Sequence, residues 1–552
     1  MTELEYTVGT TVEPHSLCPF CRSASLSYHF TRAGHHVYQC DDCRLVFFHP
    51  QPSDTTLASI YAEHYFLGSD DQAGRERVKQ MKRATARLYL KQIVGCVGTG
   101  RGALLEVGCG HGELLLEALQ FGFSVHGLDI SPSAVAFANR SLGGDYVRCG
   151  IIETAELPEH FYDICVLSDL IEHTRDPVAL MRRVHRLLKP GGLIFIATPS
   201  LDSWSARLLG SHWMEYKTEH LYYFSRSTIE NLLARTGFVG VRVEASTKVL
   251  TPEYVYHHFQ RFRVPLLSQL LAWSYRLLPT PLQQREVSVV ASGMVVTARA
   301  GERRERPLLS IIIPAYNECE TFGTLIENVL NKNLAGIDKE IIIIESNSQD
   351  GTRELALTYR DHPQIHLILE DRPRGKGHAV RTGLRHAQGD FVLIQDADLE
   401  YDINDYDILL EPLARYQQAF VLGSRHSGSW KLRHFTDQQM ISGLMNIGHV
   451  LFMSALNLLY GQRLRDPFTM YKVFRRDCLH DLAFNANRFD FDFELVIKLL
   501  RKGYQPIEIP VSYNSRSFGE GKKVSMIYDP ITWIWALIRF RLPPLYTKEP
   551  HQ

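Results

Sequence analysis

The chain has 552 residues, 45% of them hydrophobic and 22% charged, with 60 Lys and Arg against 61 Asp and Glu for a formal charge of −1. At roughly 100 to 200 residues per domain, this length predicts three or four domains. The near-neutral charge and ample apolar content exclude a disordered tail protein and a strongly basic nucleic-acid binder, so no nucleic-acid partner is expected.

Ten cysteines are too sparse for a disulfide scaffold. Residues 1–12 lack the basic and apolar regions of a signal peptide, which predicts a reducing cytoplasm. Four of the ten form two knuckles, Cys18-Pro19-Phe20-Cys21 and Cys40-Asp41-Asp42-Cys43, about 18 residues apart. That spacing lets four thiolates converge tetrahedrally on one zinc ion. Residues 1–50, read as a zinc ribbon, are too few for a core of their own, so metal ligation supplies the missing folding energy. Cysteine at all four positions leaves no open coordination site, and the predicted zinc is structural. Residues 51–100 read as a helical connector.

Next comes a buried strand, Ala103-Leu104-Leu105-Glu106-Val107, that feeds into Gly108-Cys109-Gly110-His111-Gly112 ahead of an amphipathic helix near Glu113. A second strand ends at Asp129, where a carboxylate can accept hydrogen bonds from both ribose hydroxyls. This is the spacing of a nucleoside-binding βαβ unit. A further block, Tyr162-Asp163-Ile164-Cys165-Val166-Leu167-Ser168-Asp169, follows, then Leu170-Ile171-Glu172-His173 and Leu187-Leu188-Lys189-Pro190-Gly191-Gly192 turning into a strand over residues 193–197.

On these blocks residues 101–300 resemble the class I S-adenosylmethionine-dependent methyltransferases. The resemblance implies a Rossmann-like fold with S-adenosylmethionine as cofactor. It assigns Glu106, Gly108, Gly110 and Gly112 to the loop at the methionine end, Asp129 to the ribose and Ser168 to the space near the transferable methyl. The acidic residue that often holds adenine after the third strand is replaced by Cys149-Gly150-Ile151-Ile152; Glu153 is the nearby substitute or a solvated loop carboxylate. His173 is either a general base toward a hydroxyl or a loop-orienting histidine. With a zinc knuckle in front and Tyr61-Ala62-Glu63-His64-Tyr65-Phe66 between, the arrangement resembles sugar C-methyltransferases, which makes His64 and Tyr65 further candidates. Whether carbon, oxygen or nitrogen is methylated stays open.

The charged run Gly301-Glu302-Arg303-Arg304-Glu305-Arg306-Pro307 cannot bury a core, and a linker is placed at residues 301–308. Beyond it, the strand Leu308-Leu309-Ser310-Ile311-Ile312-Ile313 breaks at Pro314, and a second strand ends at Glu345. Alternating strands and helices imply a parallel sheet. A third strand delivers Asp396-Ala397-Asp398 at its carboxyl end, where two carboxylates can hold Mg2+ or Mn2+ against a diphosphate.

Residues 309–525 thereby resemble inverting family-2 glycosyltransferases of the GT-A fold, and more narrowly the dolichol-phosphate mannosyltransferase type. Further marks are Arg374-Gly375-Lys376-Gly377, Leu422-Gly423-Ser424-Arg425 and Asp466-Pro467-Phe468-Thr469. The resemblance assigns Pro314, Tyr316, Glu318 and Glu345 to the nucleoside of a nucleotide sugar. It assigns Asp396, Ala397, Asp398 and Glu400 to metal and diphosphate, and Arg516 and Lys522 to the phosphates. Arg425, and with it Arg433, would bind the phosphate of a polyprenyl-phosphate acceptor; for a glycan hydroxyl acceptor, Asp466 or Asp492 would act as base. Arg374 and Lys376 either reach phosphate or solvate their loop. Glu345-Ser346 stands where relatives carry paired aspartates, and Glu400 replaces a common glutamine, so the donor is GDP-mannose or a UDP-sugar.

Residues 440–462 suit an interfacial helix, and Trp533, Trp535, Arg539 and Arg541 in an amphipathic tail over residues 526–552 favour peripheral contact at the cytoplasmic membrane face. The expected fold class is thus α/β multidomain, with zinc ribbon, Rossmann-like methyltransferase and GT-A glycosyltransferase in order. The expected function is bifunctional methyl and glycosyl transfer, or glycosyl transfer beside a cofactor-binding docking module.

Overall fold

The computed structural model describes residues 17–32, 34–60, 72–261, 267–302, 304, 306–425, 439–480, 482–514 and 535–542, in two compact units, Met1–Arg303 and Arg304–Gln552. His64, Tyr65, Arg433, Arg516 and Lys522 lie outside the described residues.

In the first unit, β1 (Leu26–Arg32), β2 (His35–Cys40) and β3 (Val46–His49) make an antiparallel meander. The first cysteine knuckle precedes β1 and the second is the turn between β2 and β3. Each knuckle closes the same way, Arg22 N–H donating to the Cys18 carbonyl and Arg44 N–H to the Cys40 carbonyl, both at 3.0 Å.

The main sheet of this unit contains β4 (Ala103–Val107), β5 (Ser124–Asp129), β6 (Val147–Cys149), β7 (Tyr162–Ser168) and β8 (Leu188–Pro199). After the short β9 (Tyr222–Tyr223) come β10 (Phe238–Leu250) and β11 (Val287–Ala300). Their spatial order is β10-β11-β8-β7-β4-β5-β6; β11 is antiparallel to its neighbours, and β6 through β8 run parallel. The order reverses at β4, a switch point that opens a crevice at the carboxyl ends of β4 and β7.

Two parts of this unit are more integrated than their sequence suggests. The ribbon meander gains a fourth strand, because β9 pairs with β3 through Val46↔Tyr223 and Phe47↔Tyr222. Val37, Val46 and Phe48 share a small core with Trp213 and Tyr223, so the ribbon does not rest on metal alone. The segment expected as a connector contains the helix Gln72–Val97, which buries Ala86, Tyr89, Leu90 and Ile93 against the main sheet. Its Arg83 and Arg87 pair with Glu117, 1% exposed, at 2.5 and 3.1 Å.

The second unit is one sheet of β12 (Leu308–Ala315), β13 (Asp338–Glu345), β14 (Ile365–Leu369), β15 (Phe391–Ile394), β16 (Phe420–Ser424), β17 (Lys472–Arg475) and β18 (Ile507–Pro510). The order is β14-β13-β12-β15-β17-β16-β18, with β17 antiparallel to both neighbours. Ile311, Ile312 and Ile313 of β12 and Ile341 through Ile344 of β13 have no exposed surface, as continuous apolar runs require when helices cover both faces. The described part of the tail, residues 535–542, is two-faced: Ala536, Leu537 and Phe540 pack into the core with Phe452 and Leu456, while Trp535 and Ile538 are exposed.

Candidate active sites

The four knuckle cysteines are buried, and their sulfurs lie within 4.8 Å of one another. Cys18 and Cys43 sulfurs are 3.5 Å apart, as are those of Cys21 and Cys40. Thiolates about 2.3 Å from a tetrahedral ion sit slightly further apart than this, whereas a disulfide would bring them to about 2.0 Å. The donor set therefore fits zinc. Arg235 ties the cluster to the rest of the unit, donating to the Phe20 carbonyl and covering the Phe20 ring.

At the switch point, Gly108 (φ 72) bends the chain so that its N–H reaches the Leu128 carbonyl at 2.7 Å. A Cβ at Gly108 would stand 2.8 Å from the Leu170 side chain, on top of a left-handed backbone, so only glycine fits. Gly110 donates its N–H to one oxygen of Asp129 at 2.8 Å, and Ser131 N–H reaches the other at 2.9 Å. Each Asp129 oxygen keeps a lone pair for a ribose hydroxyl. Gly112 caps the helix Glu113–Phe121, aiming its amino end at the crevice. Glu106 is 5% exposed, and its Oε2 is buried with no hydrogen-bond partner. Burial, then Glu113 and Asp129, push its carboxyl well above the ordinary range. An orphaned carboxylate of this kind fits a methionine ammonium group, so the pocket residues fit S-adenosylmethionine. Glu153 is exposed.

Ser168 ends β7, and the next residue, Asp169, has φ 50 and holds Lys248 at 3.0 Å. Burial lowers His173 to about 4, and its Nδ1 lies 3.0 Å from the Glu219 carbonyl. It stands beside His220, with ring centroids 4.7 Å apart. Asp169, Glu172 and His173 of the loop after β7, with Lys248 and His220 against them, make the floor beside Ser168, and Lys248 and His220 carry no local sequence pattern.

In the second unit, Asp396 and Asp398 follow β15, and Asp398 accepts the Glu400 N–H at 3.2 Å. Ala397 between them is buried, and its carbonyl accepts from Thr321 at 3.0 Å. Lys376 Nζ contacts Asp396 and lies 3.4 Å from Met470 Sδ, while Asp492 pairs with the buried Lys472 at 3.3 Å. Asp396, Asp492 and Asp398 raise the Lys376 pKa against the opposing effect of burial. Asp396 and Asp398 offer carboxylate oxygens two residues apart after β15, the hard donors that suit Mg2+ or Mn2+. Arg374 instead pairs with Asp371 at 2.8 Å on the surface.

Pro314 and Tyr316 sit at the carboxyl end of β12, with Tyr316 exposed, and Glu318 precedes the helix Cys319–Asn331. Glu345 is placed differently from expectation. Its carboxylate has no exposed surface and accepts Ser348 N–H at 2.7 Å, Asn347 N–H at 3.2 Å and Arg353 at 2.9 Å. It organises the loop after β13. Glu400 accepts the Tyr513 hydroxyl at 3.1 Å.

Arg425 also departs from expectation. Its Nε and Nη2 bind both oxygens of Asp466 at 2.8 and 2.7 Å, and its side chain is 7% exposed against 0% for Asp466. The fork expected for an acceptor phosphate is occupied, and the proposed base is sealed beneath it. Asp466→Ala leaves a buried guanidinium without its partner and is expected to destabilise the unit by about 3–5 kcal/mol. Equilibrium denaturation of that variant provides the check.

Comparison with known proteins agrees with this geometry. Residues 310–483 match the family "Glycosyl transferase family 2", and residues 74–243 match a family described as "Methyltransferase domain". The chain is similar to glycosyltransferase AglJ of Haloferax volcanii, 28% identical over 222 residues, covering 40% of this chain and 67% of the relative. It is also similar to dolichyl-phosphate beta-glucosyltransferase ALG5A of Trichomonas vaginalis, 30% identical over 233 residues, covering 40% of this chain and 69% of the relative. Among solved structures it is similar to the YcgJ protein of Bacillus subtilis, 15% identical with a TM-score of 0.30, over 39% of this chain and 100% of that one. The chain belongs to glycosyl transferase family 2 through its second unit, and its first unit carries a methyltransferase domain. It is an enzyme that joins two transferase domains in one polypeptide.

Proposed function

We propose that the protein methylates a sugar or glycan acceptor with S-adenosylmethionine and transfers a sugar from a nucleotide sugar to a polyprenyl phosphate. The observation that carries this reading is a polar site in each unit, orphaned Glu106 with Asp129 in one and Asp396 and Asp398 with Lys376 in the other.

In the first unit, Glu106 would receive the methionine ammonium and Asp129 the ribose, which aims the sulfonium toward Ser168 and the acceptor floor. S-adenosylmethionine supplies the methyl group; alignment provides most of the rate gain in such a displacement. In the second unit, Asp396 and Asp398 would hold a divalent ion, which supplies charge neutralisation on the diphosphate leaving group. Lys376 adds a fixed positive charge at the same place. A phosphate acceptor is already ionised at neutral pH, its second pKa being about 6, so the chain needs to position it more than to deprotonate it.

The lipid acceptor is favoured by similarity to a dolichyl-phosphate glucosyltransferase and by exposed apolar side chains on two neighbouring helices. Leu451 and Leu458 of Gln439–Tyr460 are 66% and 86% exposed, and Trp535 and Ile538 of the tail 61% and 51%. Arg541 bridges the two helices, covering Tyr460 and donating to the Leu459 carbonyl. Among the described residues no helix is long and apolar enough to cross a membrane, so contact would be peripheral.

The experiment is a panel of GDP- and UDP-sugars offered with polyprenyl phosphate in liposomes, read by mass spectrometry. A glycolipid formed from one donor is the expected result. Product only with soluble glycans, and no sedimentation with the liposomes, would overturn the lipid assignment.

A further inference from the structure

The acceptor floor of the methyltransferase unit contains a cluster that methyl transfer as described above does not use. Glu172 and His173 lie on the single turn Ile171–His173 after β7, and His220 lies two residues before β9. One donor atom from each of the three lies within 4.8 Å of the other two. Glu172 is 1% exposed and His220 4%. Glu172 Oε1 and His220 Nδ1 are both buried without a hydrogen-bond partner, so neither bonds to the other. Two buried acceptors left without donors cost about 1–3 kcal/mol each. Two unsatisfied buried groups among three residues that share one small volume call for a cation.

The surrounding contacts prepare these atoms as ligands. Glu172 Oε2 accepts from the Thr198 hydroxyl at 2.9 Å, which fixes the carboxylate plane. His173 Nδ1 faces the Glu219 carbonyl, which puts the proton on Nδ1 and the lone pair on Nε2. The backbone of Glu215 hydrogen-bonds the His220 ring, and the orphaned Nδ1 is the nitrogen left over. Ligating histidines characteristically donate their second N–H to a carbonyl in this manner. The nearby cations are otherwise engaged, Lys248 with Asp169 at 3.0 Å and Lys217 with Glu215 at 2.9 Å.

We propose that Glu172, His173 and His220 form a second metal centre, a two-histidine, one-carboxylate site for a divalent first-row transition ion beside the methyl-donor pocket. Mixed imidazole and carboxylate donors favour Mn2+, Fe2+, Co2+ or Zn2+ over Mg2+ or Ca2+. Three protein ligands leave positions open to the acceptor. A hydroxyl of the acceptor bound there loses its proton more readily, which assigns the floor to an oxygen-bearing acceptor and relieves the chain of a strong base. The ribbon helps to build the site: Leu221 N–H donates to the Glu172 carbonyl at 2.8 Å, and Phe48 N–H of β3 donates to the Leu221 carbonyl at 3.1 Å. The centre goes beyond the proposed methyl transfer, and metal binding can be read without any turnover.

The test uses the full chain carrying Asp396→Asn and Asp398→Asn, so that the aspartate pair of the second unit does not contribute. After dialysis against a mild chelator it is titrated with Mn2+, free ion being followed by electron paramagnetic resonance, and separately with Co2+. One tightly held ion per chain is expected. Its affinity should fall at least about 100-fold with Glu172→Gln or His220→Gln, while affinity for S-adenosylhomocysteine is retained. Pulsed resonance on the Mn2+-loaded parent, with the three ligands intact, should show imidazole nitrogen couplings. Failure of both ions to bind, bound Mn2+ without nitrogen couplings, or undiminished affinity in the folded variants would each overturn the proposal.

Discussion

Asp398→Asn is expected to lower sugar transfer by about 10³-fold, because it removes one of the two charges nearest the diphosphate while preserving side-chain shape. Asp398 is 6% exposed and pinned by the Glu400 N–H, so its carboxylate is preorganised and has little freedom to be replaced by water. Lys376 remains on Asp396 in the variant, which leaves the fold of the cluster in place. The measurement is kcat with the preferred nucleotide sugar and polyprenyl phosphate, beside S-adenosylhomocysteine affinity, which should not change. A fall of less than about tenfold would remove Asp398 from the machinery, since even one misplaced electrostatic group usually costs about a hundredfold.

The second large effect is expected on removing the metal that the four cysteines would hold. Cys40→Ser takes one thiolate from the cluster, and structural zinc contributes about 10–16 kcal/mol of apparent free energy in small metal-folded peptides. The meander of β1, β2 and β3 should then open, and with it the pairing of Val46 and Phe47 to Tyr223 and Tyr222. Because His220 precedes that pairing and Leu221 bridges Phe48 to Glu172, methyl transfer should be lost with the ribbon. Sugar transfer should survive, its residues all lying in the other compact unit. Zinc per chain, limited proteolysis and both activities measured together provide the check. A zinc-free variant that resists protease as well as the parent and still methylates would show that the ribbon folds without metal.

What could be read in the sequence follows the range of the interactions concerned. The cysteine knuckles, the glycine loop with Glu106, Asp129, and the pair Asp396 and Asp398 are short-range patterns tied to strand ends. The structure makes Asp129 the last residue of its strand, starts the aspartate pair two residues after its own strand, and gathers the four knuckle cysteines around one point. Long-range pairs left no such mark. Lys248 reaches Asp169 across 79 residues and Arg425 reaches Asp466 across 41, so a basic side chain that looked free for phosphate is an internal counter-ion. His220 joins Glu172 only because a two-residue strand pairs with the ribbon, and two residues carry no periodicity to detect. The helix Gln72–Val97 read as a connector because Arg83 and Arg87 mask its buried stripe, although their partner Glu117 is itself buried. Glu345 shows a related ambiguity: a carboxylate at a strand end can serve a ligand or its own surroundings, and here two N–H groups of the next loop and Arg353 of the next helix donate to it.

The central claim is that one chain contains two chemically independent transfer sites, and a single dual-label assay tests it most directly. One preparation receives methyl-labelled S-adenosylmethionine, a labelled nucleotide sugar, polyprenyl phosphate and a set of sugar and glycolipid acceptors. Asp129→Ala should lose the methyl label and keep the sugar label, and Asp398→Asn should do the reverse. Loss of both labels from either substitution in folded protein would contradict the account.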